Sequence, residues 1–137
     1  MTALLLDTSA AIPLLLEYHD AHDVVVAAAA DRPLSLPSHA LAETYSVLTR
    51  LPGDARLELD DAVTLIDTRF DAILPLSDSV QQSLHRRLRD VGIFGGAVYD
   101  GIIALTAVEH GATLLSRDAR AWRIYAALGA TVASPAL

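Results

Sequence analysis

The stretch Tyr99-Asp-Gly-Ile-Ile-Ala-Leu-Thr-Ala-Val-Glu-His-Gly-Ala-Thr-Leu-Leu-Ser-Arg-Asp-Ala-Arg-Ala-Trp122 contains three elements in 24 residues. Its first part has helical spacing, with Ile103, Ala104, Ala107 and Val108 at i+3, i+4, i+7 and i+8 from Asp100. Gly111 follows as a helix stop. "ATLLS" (112–116) is then too short for a helix and reads as a buried strand, and "DARAWRIYAALG" (118–129) returns to helix. A short apolar strand between two helices is the unit of a parallel sheet covered on both faces.

The same alternation runs outward in both directions. "TALLL" (2–6) reads as a strand. The helix after it is expected to break or kink near Pro13 and again around His19, with Asp20 as the restart. "PLSL" (33–36) is a strand bracketed by Pro33 and Pro37, and Ser38 reads as the cap of a helix that ends at "PGD" (52–54). "ARLELDDAVTLIDTRF" (55–70) reads as helix and "DAILPLS" (71–77) as strand. Asp78 and Ser79 open another helix, and the loop "GIFGG" (92–96) leads to the helix of Asp100. "ATVAS" (130–134) is the last strand. No repeat, linker or low-complexity tract divides the 137 residues, so a single domain over 1–137 is expected.

In a parallel sheet the ligand site lies beyond the carboxyl ends of the strands. Two acids stand there. Asp7 ends the run "LLLDTSAAI" (4–12), and Asp118 follows "TLLSR". Asp100 shares its helical stripe with apolar residues, where a carboxylate is costly unless paired, hydrogen-bonded or metal-bound. Glu109 falls on the opposite, solvated side. Glu43 has Ala40, Val47 and Leu51 as its stripe neighbours and sits mid-helix, where capping cannot account for it.

Each acid alone has a plain reading. Asp7 and Asp118 suit helix caps, and Glu43 suits an arginine partner. Together they are harder to explain. At about 5 Å and an effective dielectric of 20, each like-charged pair costs roughly 3 kcal/mol. One or two divalent cations would offset that repulsion. The chain has no cysteine, so any metal site must use carboxylate, hydroxyl or histidine ligands, and a carboxylate-rich site favours magnesium or manganese.

These residues resemble a known family. "LLLDTSAAI", Glu43 in "SHALAETYSVLTRL", and the block 99–122 are similar to the pattern of PIN-domain nucleases, and more narrowly of the VapC-type toxins of bacterial toxin–antitoxin pairs. The resemblance implies a PIN-like three-layer α/β/α sandwich with a central, mainly parallel sheet of four or five strands. It implies magnesium-dependent endoribonuclease activity, with manganese as an alternative ion, and inhibition by a cognate VapB-type antitoxin in a heteromeric complex. Asp7, Glu43, Asp100 and Asp118 match the family's four acidic positions. Thr8 or Ser9 matches the small polar position supporting the first acid, and Ser116 the one before the fourth. Ser116 stands where threonine is common, and Trp122 where phenylalanine is usual.

The net charge of −7 argues at first against an RNA partner. Setting aside four metal-binding acids leaves ten basic residues against thirteen acidic ones, or −3. Arg117, beside Asp118, is the expected phosphate contact. "HRRLRD" (85–90) reads as a solvated helix face. His39 and Glu43, at i and i+4, suit a local hydrogen bond.

Two alternatives compete. A PIN-like module could bind RNA or protein without cutting, but it would be expected to have lost an acid. A haloacid-dehalogenase-like phosphotransfer enzyme would need a second Asp two residues after the first, where Ser9 stands; a response-regulator receiver would need a lysine, and there is none. No apolar run reaches the ~18 residues needed to span a bilayer, and the start lacks a basic head, so a cytoplasmic protein is expected. A homodimer is expected from the resemblance and from the 53% hydrophobic composition.

Overall fold

A computed structural model describes residues 3–135. Among the described residues five short strands form one sheet in the order β3-β2-β1-β4-β5, and every neighbouring pair is parallel. They are β1 (Leu4–Leu6), β2 (Leu34–Pro37), β3 (Ala72–Leu74), β4 (Thr113–Leu115) and β5 (Val132–Ala133). Seven helices connect them: α1 (Thr8–Leu15), α2 (His22–Ala29), α3 (Ser38–Thr49), α4 (Leu59–Arg69), α5 (Asp78–Asp90), α6 (Ala97–Glu109) and α7 (Ala119–Ala127).

The order of the strands sets the layers. From β1 the chain crosses to β2 and then β3, whereas β4 lies on the other side of β1 and leads away to β5. Right-handed crossovers therefore put α1–α4 on one face and α5–α7 on the other. The packing agrees: α1 meets α2, α3 and α4, while α6 meets α5 and α7. β1 is fully buried, and Leu4, Leu5 and Leu6 centre a core that includes Leu14, Val25, Leu36, Leu48, Leu114 and Leu115. The reversal of strand order between β1 and β4 is where open parallel sheets hold their ligands.

The architecture matches the sequence expectation, and the differences are local. β1 begins at Leu4; Thr2, which the sequence reading included in it, lies outside the described residues. Pro13 does not break α1, which runs on to Leu15. A proline at position 13 cannot donate to the Ser9 carbonyl one turn back. The Arg117 guanidinium takes that place, donating to Ser9 O at 3.3 Å. The real break spans 16–21, where His19 Nδ1 accepts the Ala21 N–H at 3.0 Å, and α2 restarts at His22 rather than Asp20.

Ser38 is the first residue of α3 rather than its cap; Pro37 is the cap residue and forms no side-chain cap bond. α4 starts at Leu59, because Gly53–Ala55 forms a separate 3-10 turn. Ser77 caps α5, accepting the Val80 N–H, and also bonds through both its hydroxyl and its N–H to Glu109. Glu109 is thus exposed, as read, yet it ties the end of α6 to the start of α5. Those bonds hold its carboxyl below the ordinary range. Gly101 lets α5 and α6 approach, since a Cβ there would lie 2.6 Å from Leu88 Cδ2.

Candidate active site

β1 and β4 are paired with Leu6 opposite Leu115, so both chains leave the sheet side by side. The Asp7 N–H donates to Leu115 O at 3.3 Å, and the residues that follow each strand become neighbours. Asp7, Glu43, Asp100 and Asp118 line one cleft of ≈ 70 Å³, with Thr8, Ser9, His39, Tyr99, Ile103 and Tyr125. That volume suits an ion with a water or two, well short of the several hundred Å³ typical of organic ligands.

Asp7 is 5% exposed and held from three sides. Its Oδ1 accepts the Ser9 hydroxyl at 2.5 Å and the Ala10 N–H at 3.2 Å, and its Oδ2 accepts the Tyr125 hydroxyl at 2.8 Å. Asp7 thus caps α1 and also lines the cleft. The same holds for Asp118, which caps α7 by accepting the Arg120 N–H at 3.0 Å while facing the cleft.

Ser9 rather than Thr8 supports the first acid. Its hydroxyl donates to Asp7 and accepts the Arg117 N–H at 2.8 Å, locking the end of β1 to the loop after β4. Ser116 is fully buried; its Oγ lies 3.5 Å from that of Ser9 and accepts the Asp118 N–H at 3.1 Å. Thr8 lines the cleft without such a bond.

Asp100 projects from the first turn of α6. Burial raises its pKa, and Asp118, Asp7 and Glu43 raise it further, while Arg120 opposes them. The stripe expected below it is only partly buried: Ile103, Ala104 and Ala107 are, but Val108 in the last turn is 45% exposed. Thr106 is buried instead, its hydroxyl donating to the Ile102 carbonyl.

Glu43 corrects the sequence reading more clearly. The buried positions of α3 are Ala40, Thr44 and Leu48, so Glu43 lies beside that stripe and is exposed. It still lines the cleft. Arg117 is absent from the cleft lining, its guanidinium being turned to Ser9 O. Arg120 is the cation near the acids, with Nε 3.5 Å from Asp118 Oδ1.

The residues of the cleft fit a divalent cation. The donors are carboxylate oxygens, and three acids repel the fourth with one nearby arginine to balance them. Among the described residues no three His, Asp or Glu side chains are already gathered as a metal-ligand set.

Sequence reasoning missed Tyr125. It is 1% exposed, and burial and the nearby acids raise its pKa, so it stays a phenol that donates to Asp7. The signal was present: Tyr125 stands seven residues after Asp118, hence on the same face of α7, and a buried tyrosine hydroxyl needs an acceptor. His39 was weighed against Glu43 but stacks on Tyr99 instead, with ring centroids 5.4 Å apart and planes 10° from parallel.

Comparison with known proteins bears on this site. The PIN domain family model matches residues 4–127. The chain is 54% identical over 129 residues to ribonuclease VapC27 of Mycobacterium tuberculosis, covering 94% of both chains. It is 37% identical over 120 residues to ribonuclease VapC40 of the same species, covering 87% of this chain and 89% of that one. Among solved structures, DNA-bound VapBC from Salmonella typhimurium superposes with a TM-score of 0.68 at 16% identity, covering 99% of this chain and 100% of that one. With a matching family model over nearly its whole length and a relative at this identity, the chain belongs to the PIN-domain family, among the VapC ribonucleases.

Proposed function

We propose that this protein is a magnesium-dependent endoribonuclease and the toxin of a toxin–antitoxin pair, neutralised by a VapB-type antitoxin. The observation that carries the reading is the meeting of Asp7, Glu43, Asp100 and Asp118 in one small cleft at the switch point of the sheet. The 54% identity to a named ribonuclease supports the substrate class, and the VapBC structural neighbours support the antitoxin.

In this reading Asp7 and Asp100 are the principal carboxylates for the ion, with Asp118 and Glu43 nearby or acting through water; manganese would suit the same oxygens. Held by these carboxylates, a divalent ion would supply Lewis-acid chemistry for hydrolysis of a phosphodiester by water. The chain's own residues set the stage for it. Ser9, the Ala10 N–H and Tyr125 fix the orientation of Asp7. Ser116 fixes the backbone that carries Asp118. Burial first, and then the charges of Asp118, Asp7 and Glu43, raise the affinity of Asp100 for a proton, and a cation beside it would offset those charges. Arg120, rather than Arg117, is the nearer side chain for a phosphate, because Arg117 completes α1 where Pro13 cannot.

The complete set of acids favours cleavage over a purely binding role. No helix among the described residues is long and apolar enough to cross a membrane. The test is cleavage of RNA by the purified protein with magnesium and with a chelator. Asp7→Asn should abolish the metal-dependent activity, and an Asp7→Asn protein that cuts as well as wild type would rule the mechanism out. Co-expression with the neighbouring reading frame, where that encodes a small DNA-binding protein, should suppress any growth arrest.

A further inference from the structure

We propose that Tyr99, backed by His39, is a stacking platform for a nucleobase next to the scissile phosphate; this rests on the ribonuclease reading above. Tyr99 immediately precedes Asp100 at the start of α6, and His39 lies one helical turn before Glu43 on α3. The two rings meet across the gap between those helices, nearly parallel, and both line the acid cleft. Tyr99 remains 58% exposed, so part of its ring is open to a base. A phosphate held at the acids would thus have a flat aromatic surface within one nucleotide's reach.

The charge of the chain gives this surface its importance. Phosphate contacts and counterion release drive most nucleic-acid binding, but this protein carries −7 and keeps one arginine near the acids. Arg117 is engaged by Ser9, and Arg87 and Arg89 bond to Ser83 and Asp90 on α5. Base stacking on an aromatic ring adds affinity for a single strand that does not depend on charge. Stacking needs an unpaired base, so the platform selects single-stranded or looped RNA at the cut. His39 holds the Tyr99 ring flat and covers part of one face, leaving the remaining surface for the base.

The test measures binding apart from cleavage. In an Asp100→Asn background, which stops the chemistry, affinity for a fluorescein-labelled mixed-sequence single-stranded RNA is compared with and without Tyr99→Ala. Loss of the ring should weaken binding about tenfold. Tyr99→Phe, which keeps the face, should restore it, and His39→Ala should fall between. In the cleaving protein Tyr99→Ala should raise KM by a similar factor and change kcat less than about threefold. A Tyr99→Ala protein that binds within twofold of its parent overturns the platform, as does a Tyr99→Phe protein as weak as alanine. Failure of the wild type to cut any RNA, with Tyr99-dependent binding intact, would instead overturn the ribonuclease reading.

Discussion

Removing one oxygen atom, in Tyr125→Phe, tests how the first acid is held. The Tyr125 hydroxyl donates to Asp7 Oδ2 at 2.8 Å, with both residues buried. Phenylalanine fills nearly the same space, so packing is conserved and the change isolates the hydrogen bond. A hydrogen bond to a charged group contributes ~1.5–3 kcal/mol net, and its loss leaves a buried acceptor short of a partner. An unfolding entropy of ~2.1 cal/mol/K per residue over 137 residues makes that a drop in Tm of about 5–10 °C. Tyr18→Phe, at an exposed site, is the control and should leave Tm unchanged. Thermal melting in chelator, followed by circular dichroism, is the assay. A Tyr125→Phe protein melting within 1 °C of wild type would show that the hydroxyl does not hold Asp7. Alkaline titration gives an independent reading. The folded-state pKa of Tyr125 is raised, so the folded form keeps a proton that the unfolded chain loses above ~10. Stability should therefore fall as pH rises past that value, and the Tyr125 phenolate should appear only as the protein unfolds.

Three further outcomes follow from the same structure. Asp100→Asn should stabilise the metal-free protein by about 0.5–1 kcal/mol, the scale of partly solvated charge interactions. The sign follows from its raised pKa: ionised Asp100 costs stability above that pKa, so the wild type should gain on this account as pH falls, and Asn should erase the gain. Melting in chelator at pH 4.5 and 7.5 reads both. Ser77→Ala should cost about 1 kcal/mol by removing the α5 cap, seen as a lower urea midpoint at unchanged m. Arg117→Ala should destabilise by about 0.5–1 kcal/mol in wild type but less in Pro13→Ala, where residue 13 regains an N–H for the Ser9 carbonyl; a double-mutant cycle without coupling would refute that link.

The fold was largely legible because short apolar runs and helical stripes alternate along the whole chain, and a parallel sheet is the arrangement that buries both. The acids Asp7 and Asp118 were legible for a related reason: each directly follows or nearly follows a strand, and topology brings strand ends together. Glu43 was misread because a stripe drawn through Ala40, Val47 and Leu51 is one residue off the stripe through Ala40, Thr44 and Leu48 that the core chose. Helical periodicity alone does not fix rotation to within one position when apolar residues stand on both sides.

What stayed hidden was contact between residues far apart in sequence. Tyr125 reaches Asp7 across 118 positions, and the Arg117 guanidinium reaches Ser9 O across 108. No local pattern encodes such pairs. Each nevertheless answers a need visible locally: a buried phenol requires an acceptor, and a proline inside a helix frees a carbonyl.

The acid cleft is proposed as a metal-dependent nuclease site. The most direct test is the rate of RNA cleavage by wild type and Asp100→Asn across a magnesium titration. Cleavage by wild type should rise with magnesium and vanish in chelator. A loss of at least about 100-fold is expected in Asp100→Asn, whose fold stays intact. Equal rates for the two proteins, or cleavage by wild type that continues without a divalent ion, would contradict that assignment.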